Sequence, residues 1–97
     1  MTSIKLYSRQ SKHLVAVDCI IFGYDISEKE IKLLLIERNF ESAKDKWSLA
    51  GGFVSPGESL DNAASRVLMS LTGLKNVYMK QLHCFGDIDR DPGARVI

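Results

Sequence analysis

The sequence predicts an α/β fold, a mixed sheet with one helix packed on a face, and three observations lead there. Short β-branched apolar runs stop at glycine or polar clusters, as strands do. The segment Ser59–Thr72 switches to apolar residues recurring three and four apart, the period of an amphipathic helix. A chain of 97 residues leaves room for a single domain.

Taken in order, "HLVAVDCIIF" (His13–Phe22) reads as one buried strand that ends at Gly23. "GYDISEKE" supplies turn residues, and "IKLLLIER" (Ile31–Arg38) returns as a second strand, so the two form a hairpin. "NFESAKDK" is polar and turn-like. "WSLAGGFV" is a short apolar run broken by Gly51 and Gly52, where glycine marks a bulge or a close backbone approach. After the turn "SPGE" comes the helix. Leu60, Ala63, Ala64, Val67, Leu68 and Leu71 form its apolar stripe, Ser59 is its N-cap, Asp61 suits the positive end of its dipole, and Gly73 stops it. "NVYMKQLHCFGDI" (Asn76–Ile88) alternates as a strand would, and "DRDPG" is a turn. A new apolar segment begins at Val96 and Ile97, which reads as an element starting where the sequence stops. The expectation is a domain occupying residues 1–97 that is incomplete at its C-terminal side.

The charge balance excludes one class of partner. Thirteen basic and twelve acidic residues leave a formal charge of +1, which provides no field for a phosphate backbone. No apolar run is long enough to span a bilayer and the N-terminus has no signal-peptide core, so a cytoplasmic protein without a membrane partner is expected. Cys19 and Cys84 lack metal or redox spacing and are expected as reduced, packed thiols. His13 and His83, far apart in sequence, are read as structural.

The spacing after Gly52 carries the chemistry. Five residues separate it from Glu58, seven more lead to Arg66, and six further on stands Gly73, followed by the apolar Leu74. With "WSLAGG" ahead of it, this resembles the Nudix box, Gly-x5-Glu-x7-Arg-Glu-apolar-x-Glu-Glu-x-Gly-apolar, matched at Gly52, Glu58, Arg66, Leu68, Gly73 and Leu74. The resemblance implies a Nudix-like α/β/α sandwich with a mixed sheet, a further helix on the second face and more strands. In the box, carboxylates one helical turn apart converge on hard divalent ions, which bind a diphosphate and activate water. Here those three positions are Val67, Ser70 and Leu71. Valine and leucine offer no oxygen and serine only a weak neutral ligand, so the cluster that would hold Mg²⁺ is missing and no cofactor is expected. Glu58 and Arg66 are read first as a structural clamp between loop and helix, with ligand contact as the alternative.

"VDCIIF", "LLLIERN", "KWSLAGGFV" and "FGDIDRDPGARVI" are together similar to the N-terminal sensor domains of bacterial Nudix-related transcriptional regulators. The resemblance covers about Val15 to Ile97. It implies binding of a small metabolite, ADP-ribose or a pentose such as arabinose, with operator DNA bound only by a C-terminal winged helix that these residues do not contain. Candidate ligand-binding residues are Asp18, Arg38, Trp47, Gly51, Gly52, Phe53, Asp89 and Arg90. Each has a plainer alternative: Asp18 as a buried, paired carboxylate, Arg38 as a solvated arginine, Trp47 as core, and the charged turn Asp87–Asp91 as solvated surface.

Three functions follow from this reading. The favoured one is a catalytically silent sensor domain. The second is an active Nudix hydrolase of ADP-ribose or nucleoside diphosphates, recruiting Mg²⁺ through Glu58 and the late aspartates. The third is an assembly role, a homodimer built on an open sheet edge.

Overall fold

The computed structural model describes residues 6–38 and 46–97. The expected turn at 39–45 therefore lies outside the described residues, as does the Arg38 side chain. After the helical residues 6–8, these elements follow in order among the described residues: β1 (Ala16–Cys19), β2 (Phe22–Asp25), β3 (Glu30–Leu33), β4 (Ile36–Arg38), β5 (Lys46–Ser48), β6 (Ala50–Phe53) and α1 (Leu60–Thr72). They pair antiparallel as β1·β6, β2·β3 and β4·β5. On its other side the β1 segment meets the chain end in parallel. Leu14 bridges Val96, Leu14 N donates to Arg95 O, and Ala16 N donates to Ile97 O at 2.8 Å. Both pairing directions thus meet on β1, which makes the arrangement mixed, and the apolar start at Val96 is a real pairing element.

The helix forms where its periodicity places it. Ser59 Oγ accepts the Asn62 amide at 3.1 Å, and Gly73 ends the helix in the left-handed region at φ 78°, its N–H reaching Met69 O. Ala63, Val67 and Leu68 are its buried face, and they close a small core with Cys19, Ala50 and Val96.

Strand pairing changes several expected boundaries. The segment His13–Phe22 is not one strand, because β1 turns to β6 for its partner and β2 turns to β3, leaving a break at Ile20 and Ile21. Gly23, Tyr24 and Asp25 belong to a strand rather than the turn. The turn itself is held by Asp25, whose Oδ1 accepts from Ser27 N, Ser27 Oγ and Glu28 N, while Lys29 takes the positive φ of 55°. Ile31–Arg38 divides likewise into β3 and β4. Residues 76–88 form no strand, since alternation without a neighbouring edge leaves the backbone no ladder to join.

Expected burial also fails at several positions. Phe22 and Tyr24 sit on the same face of the hairpin as their cross-strand partners Leu33 and Ile31, and all four are exposed. Cys84 is exposed, not packed, and Trp47 is 63% exposed, which removes it from the core.

Candidate functional site

The ladder β1·β6 has two faces, and its glycines stand on opposite ones. The register pairs Val17 with Gly52 and Asp18 with Gly51 without a bulge. Successive side chains alternate across a strand, so Val17, Cys19, Ala50 and Gly52 share one face while Ala16, Asp18, Gly51 and Phe53 share the other. The helix packs on the first. Cys19 Sγ approaches Ala64 O at 3.8 Å, and a Cβ built on Gly52 would lie 2.9 Å from Val67 Cγ2. Burial, with Asp18 adding to it, pushes the Cys19 thiol pKa up. The expected close approach at the double glycine is therefore an approach of side chains, one from each face.

Between strand and helix, Glu58 and Arg66 clamp the loop. Glu58 Oε1 accepts from Arg66 Nη2 at 2.7 Å and from the Ser55 amide at 2.9 Å, and Arg66 Nε reaches Oε2 at 3.1 Å. Arg66 Nη2 also donates to Phe53 O at 2.7 Å, a contact the sequence spacing does not reveal. This bidentate arrangement ties helix, loop and β6 at one guanidinium. The Arg66 hydrogen bonds, with the Ser55 amide second, hold the Glu58 carboxyl at about 2. A carboxylate ionised that far below neutrality, with its oxygens already engaged, is a poor proton acceptor.

The helix positions that a Nudix metal site would use are not equivalent. Val67 is 3% exposed and packed against Gly52, whereas Leu71 is 45% exposed and Ser70 is also open. Of the two apolar residues on that face, only Val67 packs. These three side chains do not fit a magnesium ion, which needs anionic oxygens at this place. Among the described residues no group of three or more His, Cys, Asp or Glu side chains is placed to hold a metal ion.

On the opposite face lies a second constellation. Asp18 Oδ2 is 3.4 Å from Arg90 Nη2, across 72 residues of sequence. Asp18 is half-exposed, so the buried-carboxylate alternative does not hold. Arg90 is among the residues 85–90 that line an open cleft of about 630 Å³, as is Asp89. Gly51 lies directly against Asp18, since a Cβ there would run into Oδ1. The structure thus brings Asp18, Gly51, Phe53, Asp89 and Arg90 to one side, while Gly52 serves helix packing on the other. Arg38 and Trp47 stand apart on the ladder β4·β5. Asp91 caps its own turn, accepting from Gly93 N at 2.7 Å.

A NUDIX domain family model matches residues 12–96. The ADPR responsive transcriptional repressor NtrR of Acinetobacter baylyi is 36% identical over 81 residues, which cover 81% of this chain and 32% of that protein. An ADP-ribose pyrophosphatase of Methanocaldococcus jannaschii is 37% identical over 94 residues, covering 97% of this chain and 52% of that protein. The chain thus spans about half or less of the length of these curated relatives. Among solved structures, a MutT/nudix family protein from Enterococcus faecalis superposes with a TM-score of 0.82 at 30% identity, covering 98% of this chain and 39% of that one. The NUDIX domain of Shewanella oneidensis NrtR, solved with ADP ribose, gives 0.79 at 27% identity, covering 99% of this chain and 66% of that one. The matched residues span every strand from β1 to β6 and helix α1, and the chain belongs to the NUDIX domain family.

Proposed function

We propose that this chain is the effector-sensing domain of a transcriptional regulator, binding ADP-ribose without hydrolysing it. One observation carries the loss of hydrolysis: Val67, Ser70 and Leu71 occupy the carboxylate positions of the box, and Glu58 is fully engaged by Arg66 and Ser55. Similarity to an ADPR-responsive repressor and to a NUDIX domain crystallised with ADP ribose supports the ligand. In this reading operator binding belongs to a winged helix outside these residues, and the chain assembles as a homodimer in the cytoplasm. No helix among the described residues is long and apolar enough to cross a membrane.

Calorimetry against ADP-ribose and arabinose, with and without Mg²⁺, tests the proposal, with product analysis on the same samples. Metal-independent binding of ADP-ribose with no AMP released is the expected result. Saturable binding of arabinose alone would move the effector to the free pentose. Mg²⁺-dependent AMP release that disappears in Glu58→Gln would establish the hydrolase instead.

A further inference from the structure

The hairpin β2·β3 has two unlike faces. Gly23, Asp25, Glu30 and Lys32 stand on one, where the charges satisfy one another: Lys32 Nζ lies 3.0 Å from Asp25 Oδ2 and 3.0 Å from Glu28 Oε2. Phe22, Tyr24, Ile31 and Leu33 stand on the other as direct cross-strand pairs, between 46% and 71% exposed. Ile26, at the adjoining turn, is 81% exposed. An antiparallel ladder sorted this cleanly ordinarily turns its apolar face to a core. Here that face meets solvent.

The hairpin also lacks lateral support. Among the described residues β2 and β3 join no third strand. A two-stranded ribbon is marginal in water by itself and is stabilised by packing its apolar face. A whole Phe or Tyr buries roughly 150–250 Å², and Ile and Leu less, so these five side chains expose on the order of 500 Å². The largest patch on a monomer is about 300–600 Å² and is often functional. Two such patches laid face to face remove on the order of 1,000 Å² from water, where specific interfaces begin.

The charges around the patch select its occupant. Asp25, Glu28 and Glu30 outnumber Lys29 and Lys32 in and beside the hairpin, so no cationic rim is present for a lipid surface. The apolar face itself holds no charge with which to choose a charged partner. A second copy of this chain presents an apolar face of equal size, and two-fold pairing of the two brings no like charges together.

We infer that the apolar face of β2·β3 is a homodimer interface, with two hairpins stacked face to face and the Tyr24–Ile31 pair at the centre of each patch. The inference rests on the homodimer of the proposed function and gives it a place, on a sheet face and not on an open sheet edge.

The test is analytical ultracentrifugation of the 97-residue chain, repeated on Tyr24→Lys, Ile31→Lys and, as a control outside the strands, Tyr78→Lys, whose native tyrosine is 88% exposed. Concentrations from about 1 to 200 µM span the range for an interface at the small end. The wild type and Tyr78→Lys should associate as dimers with equal affinity, and each hairpin variant should weaken association by at least about tenfold, as a charge placed at the centre of an apolar interface requires. Hydrogen exchange on the wild type needs no variant to fold: amides of residues 22–33 should slow as concentration rises, and those of residues 76–88 should not. A wild type that stays monomeric throughout overturns both the interface and the homodimer reading. A dimer that the hairpin variants leave unchanged, or whose hairpin exchange is independent of concentration, overturns the interface and leaves a homodimer built elsewhere. Equal weakening by Tyr78→Lys overturns the assignment to this face. Calorimetry with ADP-ribose decides the effector separately, whichever of these results is found.

Discussion

Gly52 is held as glycine by one contact, and a double-mutant cycle with Val67 isolates it. In Gly52→Ala the new methyl would stand 2.9 Å from Val67 Cγ2, well inside the roughly 3.5–4.0 Å at which two carbons attract. Val67 cannot easily yield, because a β-branched side chain in a helix keeps essentially one rotamer and this one is 3% exposed. Overpacking of this kind costs about 1–3 kcal/mol. Val67→Ala removes two buried methyl groups, at about 0.8 kcal/mol each before any cavity term, so it destabilises by at least about 1.6 kcal/mol. In the double variant the methyl that Gly52→Ala adds occupies space that Val67 vacates. The clash disappears and the void partly fills, so the combined loss falls short of the sum by about 1–3 kcal/mol. Urea unfolding followed by circular dichroism measures all four corners. Losses that add to within about 0.5 kcal/mol would refute the contact as the reason for glycine at this position.

Three further outcomes follow from the same packing and charge. Glu58 titrates near 2 when folded and near 4.5 in an unfolded chain, so its contribution is present above about pH 4.5 and is lost as pH falls toward 2. Acid unfolding of Glu58→Gln should lack that part of the pH dependence, and identical slopes for variant and wild type between pH 5 and 2 would contradict the clamp. Val67→Glu would bury a carboxylate beside Gly52 and should lower stability by at least about 2 kcal/mol, whereas the exposed Ser70→Glu should stay within about 0.5 kcal/mol. A thiol reagent at neutral pH should modify Cys84 quickly and Cys19 only as the chain unfolds; two equally fast thiols would contradict the burial of Cys19.

Helix α1 is readable in the sequence because its determinants are local. Ser59, the apolar stripe and Gly73 lie within one segment, and their spacing states period and ends together. The Glu58–Arg66 clamp is legible for a similar reason, through a spacing shared with a known motif. Strand breaks are not, since the run from His13 to Phe22 is almost continuously apolar and only the choice of partner, β6 or β3, divides it. Alternation in Asn76–Ile88 suggests a strand that has no ladder. The expected burial of Trp47 and Cys84 rests on average tendencies, which neighbouring elements overrule. Asp18 and Arg90 are each visible as candidates, but their meeting across 72 residues is not, because no local pattern records it.

The Arg66 bond to the Phe53 carbonyl bears on how β6 finds its alignment. Two adjacent glycines carry no side chain to tell one face of a strand from the other, and glycine-rich strands slip easily in register. A shift by one residue would leave the glycines indifferent, but it would turn the fully buried Ala50 outward and swing Phe53 under the helix. Arg66 resists this shift because its guanidinium, already oriented by Glu58, can reach only the carbonyl that the correct alignment presents. The arginine of the box thereby acts as an index pin for the sheet, a task independent of metal and of turnover, and one that keeps Gly51 beside Asp18.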